Sequence, residues 1–120
     1  RGAKKVTFVE NYLEILTVLK NNINNLNANK NCEIIEQDSF EYFKTKDKSY
    51  DKFNIIFLDP PYKEKKINLL IEIIKEKKIL KNNGILIIHR HKKDDIEITD
   101  SLNILDIRYY GISKIIIGNY

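Results

Sequence analysis

Short apolar runs alternate with longer amphipathic segments along this chain. A β-branched run at residues 4–9 ends at Glu10, which is typical of a buried strand. The next segment carries apolar residues at helical spacing, and Asn11 with Glu14 three residues later resembles a capping box. The same alternation predicts strands at 33–36, 53–58 and 85–88, a short helix after Asp38, and a helix over 67–74.

The alternation of strands and helices stops near the end of the chain. Residues 82–84 (Asn-Asn-Gly) predict a turn before the fourth strand, and apolar runs at 104–110 and 114–118 joined through Gly111 predict a closing hairpin. The order is strand, helix, strand, helix, strand, helix and three strands. This alternation favours an α/β fold with a mostly parallel sheet and an antiparallel element at the end.

Length and hydropathy limit the class of protein. At 120 residues and 42% hydrophobic, the chain suits one domain or part of one. A mean hydropathy of -0.40 and the lack of an apolar run of about 18 residues disfavour a membrane partner, and no leader opens the chain. We therefore expect a cytoplasmic protein. The single cysteine, Cys32, cannot form an internal disulfide and is a poor metal ligand alone.

Charge is unevenly distributed. Ile (22), Lys (18) and Asn (14) are so abundant that they suggest an AT-rich genome, which weakens any argument from lysine number. The net charge is +4, yet residues 63–93 hold ten Lys or Arg against three Glu. Such a field suits a polyanion, most commonly nucleic acid. A solvated, lysine-rich helix face remains the alternative.

The most informative motif is Asp59-Pro60-Pro61-Tyr62, directly after the apolar run at 53–58. Ligands of open α/β sheets bind beyond the C-terminal ends of the strands, where this motif is predicted to lie. Prolines lack N–H donors and fix the backbone, so carbonyl oxygens and the Asp59 carboxylate form an acceptor-only cluster suited to an amino group. Tyr62 can stack on a flat base. Alternatively, the motif only ends a strand and Tyr62 packs on the core.

His89 and His91 alternate near the fourth strand. Two histidines without a nearby cysteine or carboxylate pair seldom bind a metal, so we expect no metal site. Arg90, Lys92 and Lys93 instead suggest contacts with RNA phosphates, with a solvated loop as the alternative.

Taken together, these motifs resemble the RsmD-like guanine-N2 methyltransferases of 16S ribosomal RNA. The resemblance covers essentially the whole chain and rests on RGA at 1–3, VTFVE at 6–10, IIFLDPPY at 55–62, a Gly-led strand, and YYGIS at 109–113. It implies a Rossmann-like class I fold that uses S-adenosylmethionine and acts on ribosomal RNA or an assembling small subunit. A full-length member is expected to be a monomer.

The resemblance also implies residue roles. The catalytic residues implied are Asp59, Pro60, Pro61 and Tyr62. Those implied for the cofactor are Glu10, Asn11, Asp38, Ser39 and Asp59, with Glu10 accepting from the ribose hydroxyls and Asp38 near the adenine amine. The RNA contacts expected from the basic stretch are Lys63, Lys65, Lys66, Arg90, Lys92 and Lys93. Glu10 could instead be a helix-entry charge, and Asp38 a simple helix cap.

Two departures from the family pattern affect these expectations. The family's first strand and Gly-rich loop are expected before Arg1, so residues 1–120 are interpreted as a partial catalytic domain with poor activity alone. His89 and its neighbours stand where relatives often have an acidic residue.

Three other classes of protein share part of this pattern. A DNA adenine-N6 methyltransferase would share the Asp-Pro-Pro-Tyr motif but normally carries an added recognition domain. A non-catalytic RNA-binding remnant would use only the basic stretch. A dinucleotide-binding domain is disfavoured because no GxGxxG is present.

Overall fold

The structure is a computed structural model that describes residues 2–46, 52–61, 66–94 and 97–120. Its elements follow the predicted order, which is thereby confirmed. They are β1 (Val6–Glu10), α1 (Leu13–Asn25), β2 (Cys32–Glu36), α2 (Ser39–Thr45), β3 (Phe53–Leu58), α3 (Ile67–Glu76), β4 (Leu80–His91), β5 (Asn103–Tyr110) and β6 (Ser113–Asn119). No helix among the described residues is long and apolar enough to cross a membrane.

The chain divides into two compact units, Arg1–Thr45 and Lys46–Tyr120. In the first unit, β1 and β2 pair in parallel, with Val6 opposite Cys32 and Glu10 opposite Glu36. The helix α1 connects these strands, and α2 follows β2. Because the strands are parallel and in register, their C-terminal ends lie at the same edge of this small sheet.

In the second unit, the strands follow the order β3-β4-β6-β5. The β3–β4 pair is parallel, whereas β6 runs antiparallel to both β4 and β5. The predicted C-terminal hairpin is confirmed, and Gly111 at its turn has φ of 57°, a left-handed conformation that favours glycine. The α/β fold with an antiparallel end is the one that the alternation predicted, and its Rossmann-like class is the one that the family resemblance implied.

Apolar burial in the second unit comes mainly from one face of α3 and alternate residues of β4. Ile67, Ile71 and Ile74 of α3 are fully buried, as are Leu86 and Ile88 of β4. This spacing of three and four on the helix and two on the strand is what one buried face of each element requires.

The turn predicted at 82–84 is wrong in kind. These residues lie inside β4, where Phe53 pairs with Leu80 but Ile55 pairs with Ile85. Asn83 there has φ of 62°, and a Cβ at Gly84 would lie 2.7 Å from Cγ of Leu80. The Asn-Asn-Gly signal therefore marks a bulge, because the strand resumes pairing with the same neighbour instead of reversing direction.

The predicted capping box at α1 is also wrong. The helix begins at Leu13, its N-cap is Tyr12, and no side chain caps it from that position. Instead, the Glu10 carboxylate at the end of β1 accepts hydrogen bonds from the backbone N–H groups of Asn11 and Tyr12. The unpaired donors before the helix are thus satisfied from the preceding strand.

A polar cluster ties α3 to the segment that precedes β5. Glu72 Oε1 accepts hydrogen bonds from Oγ1 of Thr99 at 2.7 Å and Oγ of Ser101 at 2.6 Å. These bonds, the one from Ser101 first, hold the pKa of Glu72 below its usual 4.5. The ionised carboxylate is therefore stabilised in the folded protein.

We expect Glu72→Gln to lower the free energy of unfolding by about 1 kcal/mol at pH 7. Since the folded pKa of Glu72 is depressed, its stabilisation is present above pH 4.5 and is lost as the pH falls through the folded value. Urea denaturation at pH 7 and pH 3 should show a smaller deficit at the lower pH. Glu76→Gln, on the exposed side of α3, controls for loss of one charge, and a Glu72→Gln deficit equal at both pH values would contradict this account.

Candidate functional site

Asp59 lies directly after β3, at the C-terminal edge of its pairing with β4. Leu58 of β3 is opposite Ile88 of β4. Asp59 follows Leu58 and His89 follows Ile88, so Asp59 and His89 lie side by side. The Asp59 side chain is 57% exposed. Its Oδ1 lies 2.8 Å from His89 Nδ1. The predicted placement of the acid at an open strand end agrees with the observed backbone.

His89 also contacts the neighbouring strand β6. Its Nε2 lies 2.8 Å from Ser113 Oγ, and the imidazole is 20% exposed. One side chain directly after β3, one in β4 and one in β6 thus form one hydrogen-bonded row, Asp59–His89–Ser113. No local sequence pattern indicates this row, because it depends on the register of strands that are distant along the chain.

The prolines after Asp59 are anchored from β4 as well. Nη1 of Arg90 donates a hydrogen bond to the Pro61 carbonyl oxygen at 3.3 Å. Pro61 itself is exposed and Pro60 is partly buried. Because neither proline has an N–H group, the turn offers acceptors, and the one at Pro61 is held by this guanidinium.

Arg90 is buried, with 1% of its surface exposed. Its Nε donates to Oδ2 of Asp94 in an ion pair whose carboxylate is only 11% exposed. The prediction that Arg90 contacts RNA phosphates does not fit this position, because its guanidinium is engaged by Asp94 and Pro61 inside the unit. Sequence alone could not reveal this, since the residue stands among exposed lysines.

Of the other residues predicted to contact RNA, the structure describes three lysines and not the other two. Lys66 precedes α3 and is exposed, as are Lys92 and Lys93 directly after β4. Since β3 and β4 are parallel, Lys92 and Lys93 follow the same sheet edge as Asp59. Tyr62, Lys63 and Lys65 lie outside the described residues.

The predicted cofactor residues Glu10 and Asn11 lie at the end of β1 in the first unit. Oε1 of Glu10 accepts the N–H of Asn11 at 2.8 Å and that of Tyr12 at 2.9 Å. This is the helix-entry role that was the alternative for Glu10. Among the described residues, both bonds to this carboxylate end on Oε1. Acceptance of hydrogen bonds from ribose hydroxyls by Glu10 stays a prediction.

Asp38 lies two residues beyond β2, at the same edge of the first unit's sheet as Glu10. Its Oδ1 accepts N–H groups from Phe40 at 2.8 Å and Glu41 at 3.2 Å, so it caps α2, which begins at Ser39. The alternative reading of Asp38 as a cap is therefore what the structure shows. Binding of adenine by Asp38 or Ser39 stays a prediction.

Side chains that could bind a metal ion do not cluster in the described part of the chain. Across those residues, no group of three His, Cys, Asp or Glu side chains is placed to hold an ion. His89 is hydrogen bonded to Asp59 and Ser113, and Nδ1 of His91 accepts the N–H of Lys93 at 3.1 Å. The two histidines thus serve separate local contacts.

Comparison with known proteins gives matches along nearly the whole chain. A family model described as conserved hypothetical protein 95 matches residues 1–119. The ribosomal RNA small subunit methyltransferase D of Buchnera aphidicola is 36% identical over 97 residues, which are 80% of this chain and 49% of that protein. The Haemophilus influenzae protein of the same name is 28% identical over 113 residues, 93% of this chain and 58% of that protein. The chain thus spans about half of the length of these relatives.

Solved structures share the fold. A conserved hypothetical protein of Streptococcus pyogenes superposes with a TM-score of 0.85 at 23% identity, covering 98% of this chain and 72% of that one. An SAH-bound methyltransferase of Podospora anserina superposes with a TM-score of 0.69 at 11% identity, covering 94% and 59%. At these identities, the likeness concerns the fold alone.

Proposed function

Because the chain belongs to the family described as conserved hypothetical protein 95, which is the RsmD-like methyltransferase family, we propose that it forms part of a catalytic domain that methylates the exocyclic amine (N2) of a guanine. The substrate proposed is small-subunit ribosomal RNA, free or in an assembling subunit, and the place of action is the cytoplasm. The names of the relatives support the RNA substrate. The single observation that carries the choice of an amine is the exposed Asp59 carboxylate beside a donor-free proline turn.

Asp59 is proposed to hold and deprotonate the amine. An amino group presents two N–H donors, and a carboxylate with adjacent carbonyl oxygens presents only acceptors. Among the described residues, the hydrogen bond that Asp59 accepts ends on Oδ1, so we assign the amine to Oδ2 and to the Pro60 carbonyl. Tyr62, outside the described residues, is assigned to stacking on the extruded base.

The residues of the first unit suit S-adenosylmethionine. Glu10 and Asp38 place carboxylates at one edge of the β1–β2 sheet, and each receives its backbone hydrogen bonds on a single oxygen. A carboxylate at a strand end can accept from ribose hydroxyls, and Asn11 and Ser39 adjoin these acids. When bound, the cofactor supplies an electrophilic methyl carbon on a sulfonium, and the C–S electron pair returns to sulfur as the C–N bond forms.

Proton acceptance is the chemical task that this chain's own residues perform. A guanine amine is a weak nucleophile because its lone pair is delocalised into the ring, so orientation and removal of a proton govern the rate. The amine nitrogen loses one proton as it gains the methyl group, and Asp59 is assigned to take it. Lys66, Lys92 and Lys93, with Lys63 and Lys65, are assigned to the RNA phosphates.

The full-length protein with methyl-labelled S-adenosylmethionine and unmodified small ribosomal subunits tests this proposal. We expect the label in N2-methylguanosine after nucleoside digestion and mass spectrometry. Transfer instead to adenine N6 of DNA supports the adenine methyltransferase. RNA binding without calorimetric heat on addition of S-adenosylmethionine supports the non-catalytic remnant, and either result overturns the proposal.

A further inference from the structure

We propose that His89 is a positioning residue that fixes the Asp59 carboxylate for methyl transfer. This inference rests on the function proposed above and deepens it. It starts from the row Asp59–His89–Ser113, in which both links are 2.8 Å long. Each of the three residues belongs to the second unit, so the row is complete within one compact body.

The row follows from strand register. His89 of β4 is opposite Ile115 of β6, and Ser113 lies two residues from Ile115. Residues two apart on a strand face the same side of a sheet, so Ser113 and His89 share a face, as does Asp59 one step beyond Leu58. Backbone pairing therefore sets the imidazole between its two partners before any ligand arrives.

Hydrogen-bond chemistry selects one tautomer of the neutral imidazole. An ionised carboxylate only accepts, so the contact with Asp59 requires a proton on Nδ1 of His89. In the neutral ring, Nε2 is then an acceptor, and the hydroxyl of Ser113 is the group that donates to it. Ser113 thereby holds the tautomer that Asp59 needs.

Exposure to solvent decreases along the row from Asp59 to His89, and the exposed Asp59 side chain needs a partner that holds its orientation. Its side chain is 57% exposed, whereas the imidazole of His89 is 20% exposed and Ser113 is partly buried. An exposed aspartate samples several rotamers, and only some of them direct an oxygen to the substrate amine. The bond to His89 engages Oδ1 and leaves Oδ2 in a defined orientation for the amine.

An aspartate, a histidine and a serine joined by hydrogen bonds also activate the serine of hydrolases. In this protein, however, the aspartate is more exposed than the serine. A catalytic serine must meet its substrate while its acid is buried behind the histidine. In this protein, the acid is the exposed end and the serine is the sheltered end. The row is therefore oriented to present Asp59, and Ser113 supports it from behind.

Kinetics of His89 variants in the full-length protein test this role. His89→Leu removes both hydrogen bonds, and we expect kcat to fall about 10- to 100-fold with little change in KM for RNA or cofactor. His89→Gln keeps a donor for Asp59 and an acceptor for Ser113, so it should recover most of kcat. Asn103→Leu removes a comparable cross-strand side-chain hydrogen bond, from Asn103 Nδ2 to Asn119 Oδ1 at the other end of β6. It is the matched control and should behave as wild type.

Long-range proton–nitrogen correlation NMR of the imidazole gives a readout independent of turnover. We expect Nδ1 of His89 to be protonated and Nε2 to be unprotonated, and both signals to shift in Asp59→Asn and Ser113→Ala. The opposite tautomer, or signals unmoved by both substitutions, overturns the positioning role. An unchanged kcat in a folded His89→Leu overturns it as well. If the wild-type protein transfers no methyl group, the proposed function itself has failed. If the wild-type protein transfers the methyl group and His89→Leu is equally active, only the positioning role has failed.

Discussion

Replacing Asp59 by alanine in the full-length protein is expected to lower kcat for methyl transfer by about 10²- to 10⁴-fold. The change removes the acceptor that we propose to orient the amine and take its proton. Because the side chain is 57% exposed, its loss should leave the thermal midpoint almost unchanged. Steady-state rates with labelled cofactor and small ribosomal subunits measure the first effect, and a thermal melt measures the second.

Two further variants sharpen this experiment. Asp100→Ala removes an exposed carboxylate in the turn before β5 and controls for the loss of one negative charge. Asp59→Asn keeps the shape but lacks the basic oxygen, so it should be nearly as slow as the alanine variant. Methylation within a few-fold of wild type in both Asp59 variants would rule out the assigned role.

Replacing Arg90 by methionine is expected to lower the free energy of unfolding by about 3–5 kcal/mol. Methionine fills much of the space of the arginine stem but removes the ion pair with Asp94, whose carboxylate is 11% exposed. Breaking a buried ion pair by removing one partner is strongly destabilising. Chemical denaturation of wild type and variant measures the difference directly.

Arg108 offers a matched control for Arg90. It also pairs through Nε with an aspartate, Asp106, but its side chain is 58% exposed. Arg108→Met should therefore destabilise the protein far less, because water and salt screen exposed pairs. The double replacement Arg90→Met with Asp94→Leu should recover much of the loss, since no charge remains buried. Equal effects of the Arg90 and Arg108 variants would contradict the account.

Loss of Arg90 should also loosen the proline turn, because its Nη1 holds the Pro61 carbonyl. Arg90, which was predicted from sequence to contact RNA, therefore stabilises the second unit and also positions the backbone next to Asp59. The proposed contact with RNA phosphates is left to the lysines that follow it, Lys92 and Lys93, which are exposed.

The order of elements could be predicted because it depends on local patterns. Apolar runs and helical spacing identified each strand and helix, and the fixed turn at Asp59-Pro60-Pro61 identified the end of β3. Position at the end of a parallel strand was enough to select this motif as a candidate site.

Contacts between strands could not be predicted in the same way. His89 meets Asp59 and Ser113, which are 30 and 24 residues away, and Arg90 meets Pro61 at a separation of 29. Such contacts depend on which residues of two strands stand opposite each other, and an irregularity in β4 changes that relation. Capping by Glu10 was missed for another reason, because Asn11 and Glu14 matched a common capping pattern that the backbone does not adopt.

The bulge at residues 82–84 has a consequence for how this protein can change in length. Phe53 and Ile55 are two residues apart on β3, whereas their partners Leu80 and Ile85 are five apart on β4, so the bulge absorbs three residues without disturbing the pairing that follows. A residue inserted or deleted within 82–84 is expected to be absorbed in the same way, which leaves His89 beside Asp59. The same change between Ile85 and Ile88, where the strands pair residue by residue, would instead exchange the sides of the residues after it and move His89 off the face that it shares with Asp59.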